Sequence, residues 1–384
     1  MWRSMDSDTK RERRVNMAHP RVIAFYLPQY HPTPHNDEWY GKGFTEWTNV
    51  VKAKKLFWGH EQPHIPADLG FYDIRLPEVR EAQAELARNT GIEGFCYYHY
   101  WFAPGVTELD LPFNEVLRLG KPDFPFMLCW ANETWQRKFW NIDGSVVKRD
   151  LQVQTYGGVE EYRKHFFDVL PALKDKRYIR IDGKPAFMIY KPLNIPDLKV
   201  FIDTWNSLAK ENGFEGIFFI GQSARADYEK EKILESGISA VNPVRLFDSH
   251  YYKNSLYKGI YKIIRIVLRI PMIKDYRKIY KSFVSKDDTA SEMFPTIIPN
   301  WDHTPRSGRG GRVVTHSTPK YFGKHVRDVL AVVGEKPEER QVIFLKSWNE
   351  WGEGNYMEPD LKYGTAYLEE LSKALTGGGY SSIV

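Results

Sequence analysis

The 384-residue sequence contains very little cysteine and no long apolar run. Its two cysteines, Cys96 and Cys129, stand in apolar segments without CxxC or CxxH spacing, which predicts buried free thiols of a reducing compartment and excludes a disulfide framework. No apolar run reaches the about 18 residues of a membrane-spanning helix. Residues 1–19 are polar and charged without an apolar core, so we expect a disordered tail, no signal peptide and a cytoplasmic protein.

Several catalytic signatures are also absent. No GxGxxG follows a predicted strand, no HExxH or HxH occurs, and no GxSxG elbow is present. The histidines are scattered and their spacing gathers no three metal ligands. A formal net charge of +5 does not by itself call for nucleic acid. We therefore predict no cofactor, no metal and no nucleic-acid partner.

Aromatic residues, in contrast, are abundant. They make up 15% of the chain and include 12 Trp and 23 Tyr. Flat aromatic faces bind sugars, although protein interfaces are rich in Trp and Tyr as well. The composition thus favours a surface that handles glycans.

Eight apolar segments alternate with helical patterns along the chain. The predicted strands are 21–27, 93–100, 124–130, 184–190, 216–221, 238–242, 294–298 and 342–348. The predicted helices are 76–88, 159–170, 197–212, 228–235, 319–333 and 364–374. Near-continuous apolar strands that alternate with helices are typical of a parallel sheet, and eight of them close a (β/α)8 barrel. We predict an α/β fold, a TIM barrel over residues 20–384; a doubly wound open sheet is the alternative.

Polar and aromatic residues follow the predicted strands, where the active-site face of such a barrel lies. Any one of them is more often a packing residue, but their joint placement indicates a glycan site. The predicted substrate-binding residues are Tyr30, His31, Glu46, Trp47, Tyr98, His99, Trp101, Trp130, Asn132, Glu133, Trp135, Trp301, Asp302, Arg306, Asn349 and Trp351.

The turn after the eighth strand reads WNEWGEG over residues 348–354 and carries two carboxylates, Glu350 and Glu353. Their spacing allows both side chains to face one side of a tight turn. Glycosidic chemistry needs one protonated and one ionised carboxyl group, and burial beside tryptophan separates their pKa values accordingly. We predict these two as the catalytic residues. Glu133 with Glu350 is a rival pair, because Glu133 follows the third strand.

A basic insertion, 245–292, separates the sixth and seventh predicted strands. Residues 251–286 hold ten Lys and Arg against one Asp. Basic residues recur along one stripe of an apolar helix over 256–270, which suits an anionic membrane surface. Packing on the barrel, or burial in an oligomer interface, is the alternative. A second basic segment, the glycine-rich loop 308–312, suits a phosphate group or a flexible loop equally well.

Several motifs in order resemble the WbsX family, which accompanies bacterial surface-polysaccharide genes and is described as a glycosyltransferase. They are 25–31 (FYLPQYH), 43–47 (GFTEW), 97–101 (YYHYW), 129–135 (CWANETW), 299–304 (PNWDHT), 348–354 (WNEWGEG), 358–360 (EPD) and 363–367 (YGTAY). The resemblance covers about residues 21–375. Its fold and motifs are similar to glycoside hydrolase family 99, the endo-α-mannosidase and endomannanase group.

This resemblance implies a retaining reaction through a 1,2-anhydro sugar. Glu350 would deprotonate the sugar 2-hydroxyl, and Glu353 would protonate the departing oxygen and then activate the acceptor. The chain has Gly352 where family 99 commonly has His. We expect a hydrolase on α-linked, mannose-type glycans in surface-polysaccharide metabolism, with an oligosaccharide or lipid-linked glycan as partner and peripheral contact with the inner membrane. A glycosyltransferase with a lipid- or nucleotide-linked donor, or a catalytically silent glycan-binding protein, is the alternative.

Overall fold

The computed structural model of the protein describes residues 20–140, 146–246 and 270–377, together with 261, 263, 265, 267 and 268. The predicted tail and most of the basic helix over 256–270 lie outside the described residues. The strands are β1 Arg21–Tyr26, β2 Gly94–Phe102, β3 Val106–Glu108, β4 Phe126–Trp130, β5 Trp135–Trp140, β6 Val146–Gln152, β7 Arg180–Ile181, β8 Lys184–Ile189, β9 Phe218–Ser223, β10 Ala240–Pro243, β11 Met272–Asp275, β12 Thr296–Ile297, β13 Trp301–Asp302, β14 Arg312–Thr315, β15 Val342–Leu345, β16 Asn349–Glu350 and β17 Asn355–Tyr356.

Eight parallel strands form the barrel, in the order β10-β9-β8-β4-β2-β1-β15-β12. The two ends of this sheet meet where Val241 donates to the carbonyl of Glu292 at 2.7 Å and accepts from the amide of Phe294 at 2.8 Å. Residues of these strands are buried on both faces, which explains their near-continuous apolar sequences. The predicted (β/α)8 fold is confirmed, and each of the eight predicted strands contributes to the barrel.

The helices that the structure describes are α1 Pro34–Tyr40, α2 Glu46–Lys52, α3 Pro77–Thr90, α4 Leu111–Leu119, α5 Gly158–Lys174, α6 Leu198–Glu211, α7 Ala226–Glu235, α8 Tyr276–Ile279, α9 Thr304–Ser307, α10 Pro319–Val333 and α11 Ala366–Leu375. The longer helices, such as α3, α5, α6, α7 and α10, cover the outer face of the barrel, and shorter ones lie in the segments that follow its strands. α3 begins with Pro77 in its first turn and ends at Gly91, whose φ of 92° suits a residue without a Cβ.

The chain after β1 holds two helices in a segment to which the sequence patterns assigned neither helix nor strand. The structure forms α1 and α2 in this segment. Thr33 caps α1 by accepting from the amide of Asn36 at 3.1 Å, and Pro34 is preset for the first turn. These two short helices bring Glu46 over the carboxyl ends of the barrel strands.

The carboxyl-terminal part of the predicted insertion is integrated into the fold. β11 pairs with β14, which in turn pairs with β13, so a three-stranded sheet borders the barrel. Tyr276 and Phe283 are buried in a second apolar core with Ile298, and the Tyr276 hydroxyl donates to the Ile298 carbonyl at 2.6 Å. The hairpin from β13 to β14 carries the segment with Arg306.

Both cysteines are buried and free, as the sequence predicts. Burial raises the pKa of the Cys96 thiol, so this side chain behaves as an apolar core residue. Among the described residues, no helix has the length and apolar character needed to cross a membrane.

Candidate active site

The WNEWGEG turn leaves the barrel immediately after β15. Its backbone forms the short strand β16, a 3-10 turn over Trp351–Glu353 and the return strand β17. Gly354 closes the turn with a φ of 53°, and a Cβ at this position would lie 2.7 Å from the Cβ of Asp302. A glycine is therefore required both by the backbone conformation and by the close approach of β13.

Hydrogen bonds fasten this turn to the segment after β1. The Asn349 side chain accepts from the Leu27 amide at 2.7 Å and donates to the Leu27 carbonyl at 3.1 Å. The Tyr30 hydroxyl donates to the Asn349 carbonyl and accepts from the Trp351 amide, the latter at 3.0 Å. All four residues are buried, so these hydrogen bonds hold the turn in one orientation against the segment after β1.

A buried carboxylate, Glu358, forms the floor of the turn. It accepts from Trp351 Nε1 at 2.6 Å, from the Tyr72 hydroxyl at 2.9 Å and from Gln83 Nε2 at 2.6 Å. Burial raises the pKa of Glu358 to about 7, against the opposing effect of these hydrogen bonds. Glu358 thus links the turn to α3 and to the segment before it.

The two predicted catalytic carboxylates converge on one guanidinium group. Arg306 NH1 lies 2.6 Å from Glu353 Oε1 and 3.4 Å from Glu350 Oε1, while Arg306 Nε donates to Glu46 Oε1 at 2.9 Å. His303 Nε2 is 3.4 Å from the same Glu353 oxygen. The Oε1 atoms of Glu350 and Glu353 thus share one guanidinium nitrogen, Arg306 Nη1, which brings the two carboxyl groups together on one side of the site.

Glu350 has a second set of partners on its other oxygen. Ser347 Oγ donates to Glu350 Oε2 at 3.0 Å, and Lys346 Nζ lies 3.9 Å from it. Lys346 itself donates to the Tyr98 hydroxyl at 2.8 Å. These contacts hold the Glu350 carboxyl in one orientation at the mouth of the barrel.

The environments of the two carboxyl groups differ. Burial and the negative charge of Glu353 raise the pKa of Glu350. Burial also opposes ionisation of Glu353, but the nearby Arg306 and His303 outweigh it and hold the pKa of Glu353 well below its usual value. Glu353 is therefore the ionised carboxyl of the pair, and Glu350 keeps its proton to a higher pH than Glu353 does.

Gly352 and Glu46 occupy adjoining space. A Cβ on Gly352 would lie 1.6 Å from Glu46 Oε1 and 3.1 Å from Arg306 Nε. The buried Glu46 carboxylate therefore fills the room that a side chain at position 352 would need. With Glu46 in this position, residue 352, which stands between Glu350 and Glu353, has room for a glycine and not for a larger side chain.

A cavity of about 870 Å³ opens above these residues. Its walls include Glu46, Glu133, Arg306, Glu350 and Glu353. Aromatic side chains add flat surface, and they are Tyr40, Phe44, Tyr98, Tyr100, Trp135 and Tyr190. Carboxylates that accept hydrogen bonds from hydroxyl groups, together with flat aromatic faces, form a surface suited to a sugar.

A second cavity of about 630 Å³ adjoins the first. The two share Tyr190, His303, Ser307, Gly310, Lys346 and Glu353. The second cavity also contacts Trp301. Within the described residues, no group of His, Cys, Asp and Glu could hold a metal ion.

Sequence comparison identifies the family from which this site comes. The model of the family described as "Glycosyltransferase WbsX" matches residues 22–371. The chain belongs to the WbsX family. Two curated relatives, both described as "Uncharacterized protein WxcX" and both from Xanthomonas campestris pv. campestris, are 31% identical over 369 residues and 32% identical over 361 residues. Each match covers 92% of this chain and 49% of the relative, so the chain spans about half the length of these proteins.

Solved structures share the fold of this WbsX-family chain. A GH99 endo-α-mannosidase from Bacteroides thetaiotaomicron in complex with bis-tris-propane superposes with a TM-score of 0.56 at 14% identity, over 94% of this chain and 97% of that one. A protein described as "Glycoside hydrolase-like protein" gives 0.56 at 15% identity, over 93% and 94% of the two chains. At this identity the likeness shows the fold, and the site must be argued from this chain's own residues.

The sequence-predicted residues of the WbsX-family chain divide into two groups. One group lines a cavity and comprises Glu46, Tyr98, Glu133, Trp135, Trp301, Arg306, Glu350 and Glu353. The other group is buried and lines neither cavity, and it comprises Tyr30, His31, Trp47, His99, Trp101, Trp130, Asn132, Asp302, Asn349 and Trp351. Of these, His99, Trp101 and Trp130 pack against His165 of α5, on the outer side of the barrel.

The buried group makes contacts with the protein itself. Asp302, for example, accepts from His60 Nε2 and Gln62 Nε2, both at 2.7 Å. Asn132 bonds the backbone of Lys191, and its amide is thereby committed to holding the segment after β8. Such residues set the shape of the site, whereas contact with a ligand is available only to the cavity-lining group.

The cavity residues that sequence reasoning missed include Tyr100, Tyr190, His303 and Lys346. Tyr190 follows β8 directly, so the strand-end rule that selected other residues applies to it as well. Lys346 was signalled by its position, because a lysine at the end of a fully buried strand needs a partner. His303 lies within the PNWDHT motif, and its role depends on its distance from Glu353, which the sequence does not contain.

Proposed function

We propose that the protein is a retaining glycan-active enzyme on α-linked, mannose-type glycans, and that Glu350 and Glu353 are its catalytic pair. The observation that carries the proposal is the convergence of these two buried carboxyl groups on Arg306 at the floor of an aromatic-walled cavity. The proposal extends to surface-polysaccharide metabolism as the setting, in keeping with the WbsX family.

The proposed reaction has two steps with balanced proton transfers. In the first, Glu350 takes the proton of the sugar 2-hydroxyl, whose oxygen forms a bond to the anomeric carbon. The glycosidic bond breaks, and its oxygen leaves with a proton from Glu353. In the second, Glu353 takes a proton from the acceptor, the acceptor oxygen bonds the anomeric carbon, the bond between that carbon and the 2-oxygen breaks, and Glu350 returns the proton to the 2-oxygen. Water as acceptor gives hydrolysis, and a sugar hydroxyl gives transfer.

The charges around the two carboxyl groups favour a proton on Glu350, whereas the roles above require it on Glu353. Arg306 stabilises an ionised Glu353, and burial favours a protonated Glu350. For the roles above, the proton must reside on Glu353 when the substrate is bound. The alternative assignment, with Glu350 as the acid and Glu353 as the base, uses the same pair in the reverse order.

Product analysis tests the pair. Wild-type protein incubated with α-linked oligosaccharides should release product whose anomeric configuration, followed by NMR from the first turnovers, is retained. Glu350→Gln and Glu353→Gln should each lower turnover by more than about 10³-fold, because each removes an acid–base group. Near-wild-type turnover in both variants would overturn the assignment.

Substrates with activated leaving groups distinguish the two role assignments. A glycosyl fluoride needs little proton donation to its leaving group, so a variant that lacks only the acid keeps its first step on this substrate. Recovery of the first step in Glu353→Gln alone supports Glu353 as the acid. Recovery in Glu350→Gln alone supports the reverse order.

The rival pair uses Glu133 in place of Glu353. Glu133 lines the cavity but is half-exposed, and it is paired with Lys191 rather than with Arg306. The geometry therefore supports it as a hydroxyl acceptor. Loss of turnover in Glu133→Gln together with normal turnover in Glu353→Gln would replace the proposed pair.

A further inference from the structure

We propose that the second cavity is an anion subsite, which binds a phosphate or carboxylate group on the part of the substrate that leaves or accepts. The inference rests on the proposed function, because it assigns a substrate feature to the neighbour of the same catalytic pair. Its basis is the contrast in charge between the two adjoining cavities.

The first cavity is dominated by acceptors. Among its described lining residues, four carboxylates face two cationic side chains; they are Glu46, Glu133, Glu350 and Glu353 against Arg306 and Lys346. A wall of this kind binds neutral sugar hydroxyls, which donate hydrogen bonds. It repels a phosphate or a uronic acid.

The second cavity has the opposite balance. Its described lining residues include four cationic side chains, Lys191, Arg225, Arg312 and Lys346, and two carboxylates, Glu229 and Glu353. Lys191 pairs with Glu133 of the first cavity, so the positive charge available to this cavity comes from Arg225, Arg312 and Lys346. Neutral hydrogen-bonding side chains, Asn194, Gln222, Ser223 and Ser307, complete its polar surface. Guanidinium groups beside such a surface are the usual means of binding phosphate or carboxylate oxygens.

The two arginines come from different parts of the barrel. Arg225 precedes α7, has a side chain that is 67% exposed and forms an ion pair with Glu229 at 3.7 Å, which is longer than a hydrogen bond and leaves its remaining N–H groups facing the cavity. Arg312 begins β14, at the end of the glycine-rich basic loop 308–312. Gly310 of this loop lines both cavities. The basic loop that the sequence singled out is therefore part of the wall.

The position of the subsite relative to Glu350 and Glu353 indicates which part of the substrate it binds. Glu353 lines both cavities, whereas Glu350 is not among the residues that line the second. Because Glu353 is the proposed partner of the departing oxygen, the second cavity receives the group attached to that oxygen. The anionic group then lies on the leaving-group and acceptor side of the cleaved bond.

Titration calorimetry on the full chain with inorganic pyrophosphate, inorganic phosphate and glucuronate tests the subsite without any need for turnover. We expect saturable binding of at least one of these anions, weakened at least tenfold in Arg225→Ala/Arg312→Ala. The matched control Arg163→Ala/Arg327→Ala removes two exposed arginines outside both cavities and should bind as the wild type does. Glu353→Gln should bind more tightly by a few-fold, since a repelling charge is lost.

The outcomes separate the subsite from the reaction. Preference for phosphate or pyrophosphate assigns a phosphorylated leaving group, and preference for glucuronate assigns an acidic sugar. No anion binding, or equal losses in the test and control variants, overturns the subsite. A protein that cleaves neutral glycans and binds no anion keeps the proposed reaction, whereas one that binds anions through both arginines and turns over no glycan keeps only the subsite. Arg225→Lys/Arg312→Lys, with intermediate affinity and an unchanged melting temperature, would show that charge rather than folding is responsible.

Discussion

At the scale of single residues, the environment of the catalytic pair is set by a charged cluster with Arg306 at its centre. Three carboxylates hold the pKa of Arg306 well above its usual value despite burial. The guanidinium group in turn determines which catalytic carboxyl is ionised. The sequence identifies the members of this cluster, because Arg306, Glu350 and Glu353 follow predicted strands and Glu46 stands in the GFTEW motif after β1. Their mutual distances depend on α2 and the hairpin from β13 to β14, neither of which has a strong local signal.

Gly352→Ala should damage this cluster. The new methyl group would collide with Glu46 Oε1, whose side chain is buried and cannot move away easily. Overpacking of this kind costs about 1–3 kcal/mol, and displacement of Arg306 should lower kcat/KM at least tenfold.

A double-mutant cycle with Glu46→Ala checks the cause of the damage by chemical denaturation. Removal of the Glu46 carboxylate provides space for the methyl group, so Glu46→Ala/Gly352→Ala should be less destabilised than the sum of its single variants. Strict additivity would mean that the two positions do not compete for space.

Glu358 predicts a pH dependence of stability. Its native pKa is about 7, against about 4.5 in the unfolded chain, so the native state binds the additional proton between these values. Stability therefore falls as the pH rises through this window, by at most about 1.4 kcal/mol per pH unit from this group.

Glu358→Gln isolates this contribution. The amide does not titrate, so denaturation curves between pH 4.5 and 7 should show a shallower loss of stability in the variant than in the wild type. The difference between the two slopes is the quantity to compare, because other groups contribute equally to both. Identical slopes would contradict the raised pKa of Glu358.

At the scale of elements, the barrel strands were predictable and the elements above the barrel were not. Strands such as β15 are buried on both faces and therefore read as apolar runs, whereas β12 is reduced to Thr296–Ile297 within a longer apolar run. The support beneath the catalytic turn depends on contacts between distant parts of the chain, such as Glu358 with Gln83 and Tyr72. No local sequence pattern records such contacts.

A buried ion pair joins the end of β10 to the turn at 285–289, and its contribution to stability can be measured. Arg245 NH1 lies 2.6 Å from Asp288 Oδ2, and both side chains are buried. Asp288→Ala leaves Arg245 with Asp227, 2.9 Å away, as its remaining carboxylate partner, so we expect a loss of about 3 kcal/mol in the free energy of unfolding, the lower end of the range for a broken buried pair. Lys199→Ala, which breaks an exposed pair with Asp203, should cost about 0–1 kcal/mol. Equal effects of the two substitutions would remove the structural role assigned to this part of the insertion.

At the scale of the whole molecule, the basic insertion offers a surface for membrane contact, which we retain as a proposal. Three of its described residues are exposed and apolar: Ile263 is 62% exposed, Val267 is 72% exposed and Leu268 is 58% exposed. In the sequence these residues alternate with basic ones such as Lys262, Arg265 and Arg269. Deletion of the whole segment is a poor test, because Tyr276 and Phe283 belong to the second core.

Co-sedimentation with vesicles tests this surface. The wild type should bind vesicles that contain anionic lipid and should bind neutral vesicles weakly. Ile263→Ser/Val267→Ser/Leu268→Ser should weaken that binding by more than about tenfold, since three apolar side chains are lost. The matched control Val51→Ser/Val159→Ser/Leu361→Ser alters exposed apolar residues elsewhere and should bind normally. Unchanged binding in the test variant would exclude this helix as the contact.

The wall shared by the two cavities has a consequence for how such an enzyme changes over evolutionary time. Glu353 and His303 face both chambers. On the proposed mechanism, the occupant of the second chamber therefore governs whether solvent reaches Glu353 during the second step. We expect substitutions in that chamber to shift the balance between water and a sugar as acceptor while Glu350 and Glu353 stay the same.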